Sequence, residues 1–129
     1  MATEQELLES ISKYEMMHLR DSPPTVFPRE SLGSKNVKGE WEGKKHSEAQ
    51  GCYAIYSSDD EVVYIGKASF GRTLGSRLVR FRYGGVPADY NMASVSLITV
   101  AIGYQAASLE EYLIISLQPR YNKTGIRGD

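Results

Sequence analysis

The segment from Gly51 to Lys67 constrains the chain more than any other, because it holds two strand-like stretches separated by only a turn. Gly51-Cys52-Tyr53-Ala54-Ile55-Tyr56 and Glu61-Val62-Val63-Tyr64-Ile65 carry β-branched and aromatic residues, and Ser57-Ser58-Asp59-Asp60 between them has turn composition. The expectation is a β-hairpin. Alternation along the first strand sends Tyr53 and Ile55 to one face and Cys52, Ala54 and Tyr56 to the other. The second strand runs on into Gly66-Lys67, so each strand sets a phenol close to a glycine. Gly66 suits either a close approach of backbone to a ligand or a bulge at the strand end.

Thr3 and Glu6 have the spacing of a capping box, and Leu7, Leu8, Ile11, Tyr14 and Met17 recur at helical intervals, which predicts an amphipathic helix over residues 4–19. From Asp21 to Gln50, three prolines and no sustained periodicity predict a long irregular arm, with a short turn of structure near Arg29–Leu32 and Trp41 as its large apolar anchor. Leu74, Leu78 and Phe81 line a helix over residues 72–82 that Gly84-Gly85 ends. Ala93–Gly103, rich in Val, Ile, Leu and Thr, predicts a third strand, and Ala106–Leu117 a last helix. The β-β-α-β-α order gives a small mixed α/β (α+β) domain. Residues 1–50 form its N-terminal helix and irregular arm, and residues 51–129 its core.

At 129 residues the chain suits one domain that buries roughly two-thirds of its unfolded surface. A lone cysteine, Cys52, excludes an internal disulfide and a cysteine zinc site. No apolar run approaches the roughly 20 residues of a membrane span, and Glu4, Glu6 and Glu9 stand where a secretory signal is basic. A cytoplasmic protein with no membrane association is the expectation. The net charge of −1 conceals an asymmetry. Lys67, Arg72, Arg77, Arg80 and Arg82 occur with no acid between residues 67 and 88, whereas residues 1–30 hold six acids against three bases. Screening over about 8–10 Å lets such a basic stretch attract phosphate in a nearly neutral chain. The plainer reading of these arginines is a solvated helix face.

On a helical wheel of about 100° per residue, Leu109, Leu113, Ile114 and Leu117 form one apolar face; Glu110 falls inside it, while Glu111 projects toward Gln118. A carboxylate aimed at packed surface needs a cation. A divalent metal at the sheet edge would serve, as would a salt bridge to an arginine such as Arg77.

The ordered set Gly51-Cys52-Tyr53, Tyr64-Ile65-Gly66, Arg77 on a helix, Glu110 on a later helix, and Pro119-Arg120-Tyr121-Asn122 resembles the GIY-YIG nuclease family, over residues 51–122. That family includes catalytic domains of excision-repair incision subunits and of homing endonucleases. The resemblance implies a three-stranded antiparallel sheet flanked by helices. It also implies a site made of Tyr53, Tyr64, Gly66, Arg77, Glu110 and Asn122, and metal-dependent endonuclease action on DNA.

Those residues suit phosphodiester hydrolysis. Glu110 as sole carboxylate would hold one Mg²⁺ or Mn²⁺ whose remaining ligands are mostly waters. Tyr53 would take a proton from the attacking water; since a phenol is mostly protonated at neutral pH, Lys67 would assist it and Tyr64 complete the network. Arg77 would clamp the scissile phosphate. Asn122 would support the site without reacting, and Arg72, Arg80, Arg82 and Lys123 would grip the DNA backbone. The DNA target is a short sequence or a branched or damaged structure.

Three departures from the family pattern stand out: Cys52 in place of an isoleucine, a longer Gly66–Leu74 segment, and Phe81 where a hydrogen-bonding His or Tyr is common. Either Tyr83 or Lys67 replaces that contact, or activity is weaker. The rival reading is therefore a catalytically weak or inactive module that binds nucleic acid through Arg72, Arg80 and Arg82, and a third is an interaction protein docking through its acidic first helix. His18 and His46 lie far from the motifs and read as ordinary surface residues.

Overall fold

The computed structural model describes residues 2–18, 23–32, 49–69, 71–82 and 90–123, the side chains of 79–82 and 123 excepted. Trp41, His46, Tyr83 and Gly84-Gly85, and the side chains of Arg80, Phe81, Arg82 and Lys123, lie outside that description.

The chain runs α1 (Glu4–His18), β1 (Thr25–Val26), β2 (Glu30–Ser31), β3 (Gly51–Tyr56), β4 (Val62–Ala68), α2 (Leu74–Arg82), β5 (Ser94–Thr99), α3 (Tyr104–Leu117) and α4 (Arg120–Lys123). The fold is mixed α/β, built on an antiparallel sheet flanked by helices. Its centre is the expected three strands in the order β5-β3-β4, with β4 at one edge. The arm adds more than a turn: β1 and β2 both pair antiparallel with the far side of β5, and the Phe27 and Leu32 N–H groups between and after them donate to Leu97 and Ala93. The prolines of this stretch hid two short strands at the sheet margin, where a missing N–H does least harm.

The hairpin pairs Tyr53 with Gly66, Cys52 with Lys67 and Gly51 with Ala68. Near the turn the register shifts: Tyr64 opposes Ile55 but Val62 opposes Tyr56, leaving Val63 as the extra residue of a bulge. Val62 can then share a core with Tyr56 while Tyr64 joins Tyr53 and Ile55 on the opposite face. Asp60, at φ 64°, closes the turn.

Two cores follow, one on each face. Cys52, Ala54, Tyr56, Ile65 and Ile98 pack against Leu7, Ile11 and Tyr14 of α1 and Ala106, Leu109 and Leu113 of α3. Tyr53, Ile55, Tyr64, Val95 and Leu97 pack against Leu74 and Leu78 of α2 and Tyr121 of α4. At the start of α1 the Thr3 N–H donates to Glu6 Oε1 (2.9 Å) and the Glu6 N–H to Thr3 Oγ1 (3.2 Å), the reciprocal pair the sequence spacing implies. Leu8 and Met17, which share the helical recurrence, are exposed. Arg29 fastens the arm: it lies 4.0 Å over the Tyr56 ring and bonds Glu4 (2.7 Å) and Asp60 (2.6 Å).

Candidate active site

Tyr53 and Tyr64 occupy adjacent strands with ring centroids 6.2 Å apart, and both are fully buried. Gly66 explains how two large rings fit there. It lies within β4, not at a terminal bulge, and a Cβ on it would fall 2.7 Å from Cε2 of the Tyr53 ring, nearer still to its Cζ and hydroxyl. The glycine is required by the first tyrosine, its cross-strand partner.

Arg77 enters the same face from α2, whose Leu74 and Leu78 belong to the core of the two tyrosines. A reciprocal Thr73–Ser76 pair starts this helix: the Ser76 N–H donates to Thr73 Oγ1 (3.1 Å) and the Thr73 N–H to Ser76 Oγ (3.0 Å). Arg77 is only 6% exposed, and its Nε and Nη2 are buried without a hydrogen-bond partner among the described residues. A cation in that state is costly, since each unmet donor has lost its water and gained nothing. The ion pairs among the described residues do not include one between Arg77 and Glu110.

Glu110 and Lys67 approach from the other side of the sheet. Lys67 is the cross-strand partner of Cys52 and therefore shares its face. Cys52 lies beneath α3, its Sγ–H donating to the Ala106 carbonyl (3.2 Å), and Glu110 stands one turn further along that helix. Burial pushes the Cys52 thiol well above its ordinary range; Glu110 adds to the rise and Lys67 opposes it. Glu110 is half-buried and Glu111 exposed, in line with the helical wheel. Among the described residues no group of three or more His, Cys, Asp or Glu side chains is arranged to hold a metal. A single half-buried carboxylate still fits a largely hydrated dication, which needs few protein ligands and room for water.

The set is thus divided by strand β4. Tyr53, Tyr64, Gly66 and Arg77 belong to one face, Lys67 and Glu110 to the other, and the Tyr53–Gly66 and Cys52–Lys67 pairs are consecutive rungs at the open end of the hairpin.

Asn122 grips that strand from outside. Its Oδ1 accepts from the Ile65 N–H (2.9 Å) and its Nδ2 donates to the Ile65 carbonyl (3.0 Å), satisfying both polar groups that an edge strand leaves open. Beside it, the Tyr121 hydroxyl accepts from the Asn91 N–H (2.8 Å), and Asn91 is held to Ser58 by two further bonds. Tyr121 and Asn91 were missed in the sequence; a tyrosine next to the motif asparagine was the available signal. Arg72 is exposed ahead of α2.

The chain is similar to UvrABC system protein C. It is 37% identical over 82 residues to that protein from Stenotrophomonas maltophilia (strain R551-3), covering 59% of this chain and 13% of the relative. With the Borrelia duttonii (strain Ly) protein it shares 32% identity over 84 residues, 61% of this chain and 14% of the relative. With the Xanthomonas campestris pv. campestris (strain B100) protein it shares 32% over 100 residues, 69% and 16% respectively. The chain therefore spans well under a quarter of any of these UvrABC system C proteins. No family model matches it.

Proposed function

We propose that the chain is a GIY-YIG-type endonuclease acting on DNA, related in activity to the region of UvrABC system protein C that it resembles. The observation that carries this reading is Arg77: a residue only 6% exposed whose Nε and Nη2 have no hydrogen-bond partner among the described residues, on the face of two clustered tyrosines. A buried fork of that kind is matched by two oxygens of a phosphodiester. The scissile phosphate lies across the outer edge of β4, between Arg77 on one side and Lys67 and Glu110 on the other. Water adds to phosphorus as its proton passes to the ionised phenol of Tyr53, and the P–O bond to the leaving oxygen breaks, that oxygen departing with the bonding pair and taking up a proton from solvent. Lys67 orients the water or favours the ionised phenol, and Tyr64 packs beside Tyr53 with ring centroids 6.2 Å apart. Glu110 would hold Mg²⁺ or Mn²⁺, which supplies Lewis-acid stabilisation of the leaving oxygen. Both phenols are covered, so the side chains above them move aside before the cut.

The division of the site by β4 and the full burial of Tyr53 and Tyr64 favour one second reading, a module that binds nucleic acid without cutting it. Supercoiled plasmid incubated with the protein and Mg²⁺ or Mn²⁺ separates the two. Nicking by the parent, lost in both Arg77→Ala and Glu110→Ala, supports the nuclease. Nicking that survives in both variants overturns the site, and a retained gel shift without nicking in any of them favours the binder.

A further inference from the structure

Strand β4 is an outer edge of the sheet, and its outward polar groups can be followed residue by residue. In an antiparallel pair, residues that exchange hydrogen bonds with the partner strand alternate with residues whose N–H and C=O point away from it. Asn122 fixes the phase. It clasps the Ile65 N–H and carbonyl from outside, so Ile65 is an outward residue, and Lys67, two positions on, is the next. Gly66 between them bonds inward to Tyr53. The two outward residues are served differently. Ile65 has the Asn122 amide, whereas no described residue takes the main-chain N–H or carbonyl of Lys67, which is itself half-buried. An N–H in that position costs free energy until an acceptor meets it.

The surroundings decide which acceptor fits. The Asn122 clasp interrupts the edge, so another strand finds no continuous run of groups to pair with. The charges on either side are chiefly positive. The Lys67 amine belongs to one face and Arg77 to the other, and Arg77 Nε and Nη2 have no partner among the described residues. Glu110 opposes them from the Lys67 face, and the two cations outnumber it. Two cations flanking a main-chain donor suit an anion with several acceptor oxygens, and backbone N–H groups regularly serve phosphate.

We propose that the main-chain N–H of Lys67 donates to a non-bridging oxygen of the phosphodiester that Arg77 holds, a contact separate from anything the lysine amine does. This rests on the nuclease reading and deepens it, by adding an uncharged donor whose place is fixed by the strand and not by a rotamer.

The test separates the N–H from the amine. Lys67→Ala loses the amine and keeps the N–H, whereas Lys67→Pro loses both, and proline is tolerated on an edge strand where the N–H points outward. Affinity for a short blunt duplex is measured by fluorescence anisotropy in EDTA. Lys67→Pro should bind about ten- to a hundred-fold more weakly than Lys67→Ala. Equal affinity of the two overturns the contact. The parent supplies a readout that needs no variant to fold: with isotopically labelled lysine, the Lys67 amide proton should move downfield in the NMR spectrum as duplex is added. An amide that stays in place while the duplex binds overturns the contact as well. A parent that nicks plasmid with that amide unmoved rejects the contact alone; one that neither nicks nor binds rejects the nuclease reading with it.

Discussion

Arg77 shows how function and stability pull apart at a single residue. Its Nε and Nη2 are buried with no hydrogen-bond partner among the described residues, a condition folding alone would select against. Arg77→Met keeps most of the packing volume and removes the charge. It should raise unfolding free energy by about 1–3 kcal/mol while abolishing plasmid nicking, as read by denaturant melts beside the cleavage assay. A destabilised Met variant would mean that the guanidinium is already satisfied in the free protein. Cys52 gives a pH prediction with a definite sign. Burial raises its thiol, so the folded chain keeps a proton that the unfolded chain releases above about pH 8.5. Its contribution is complete below the unfolded pKa and disappears as pH rises toward the folded one. The Tyr56 phenol, raised first by burial and lowered in part by its Ser96 bond, acts in the same direction at higher pH. Melting temperature should therefore fall with alkalinity, and less steeply in Cys52→Ala even though that variant starts lower.

At the scale of elements, the short α4 exerts an influence out of proportion to its four residues. Asn122 supplies an acceptor and a donor to the same residue of β4, so removing it leaves an N–H and a C=O on the edge strand without those partners. Asn122→Leu should cost about 1–3 kcal/mol, and Asn122→Asp, which accepts but cannot donate, about half as much; chemical denaturation orders the three proteins. Equal stability of all three would show that water replaces the amide fully. How readable such contacts were depended on their range. The hairpin, the capping box and the inward tilt of Glu110 follow from spacings of two to four residues, which alternation and helix geometry translate directly. The Val63 bulge, the pairing of the arm with β5 and the division of the candidate site between two faces depend on register across strands, and a one-residue shift moves a side chain through the sheet without changing composition. Placing Tyr53 and Ile55 on one face was within reach of alternation, whereas bringing Tyr64 and Arg77 to it required the strand register and the face that α2 covers. Setting Glu110 and Lys67 on the other required knowing which face α3 covers.

Across the whole molecule, the face beneath α3 is completed by α1. Leu7, Ile11 and Tyr14 share one core with Cys52, Ala54, Leu109 and Leu113; the Tyr14 and Tyr112 rings lie 5.3 Å apart, and the Val62 N–H of β4 donates to the Ala2 carbonyl at 2.7 Å. The Arg29 contacts to Glu4 and Asp60 are partly exposed and add little, about 0–1 kcal/mol each. The apolar contribution is larger. Three buried side chains at about 1.5–3 kcal/mol apiece approach the whole stability of an ordinary domain, about 5–15 kcal/mol. Deleting residues 1–18 should therefore abolish cooperative thermal unfolding and expose enough of α3 to bind a hydrophobic dye, whereas Thr3→Ala, which only breaks the capping box, should cost about 1 kcal/mol and leave the transition sharp. A truncated chain that still melts in one cooperative step would show that the sheet and α3 form a self-sufficient core. Such a chain would also report on function: because α1 covers the face of Lys67 and Glu110 and not that of Tyr53 and Arg77, plasmid nicking should fail together with folding rather than before it.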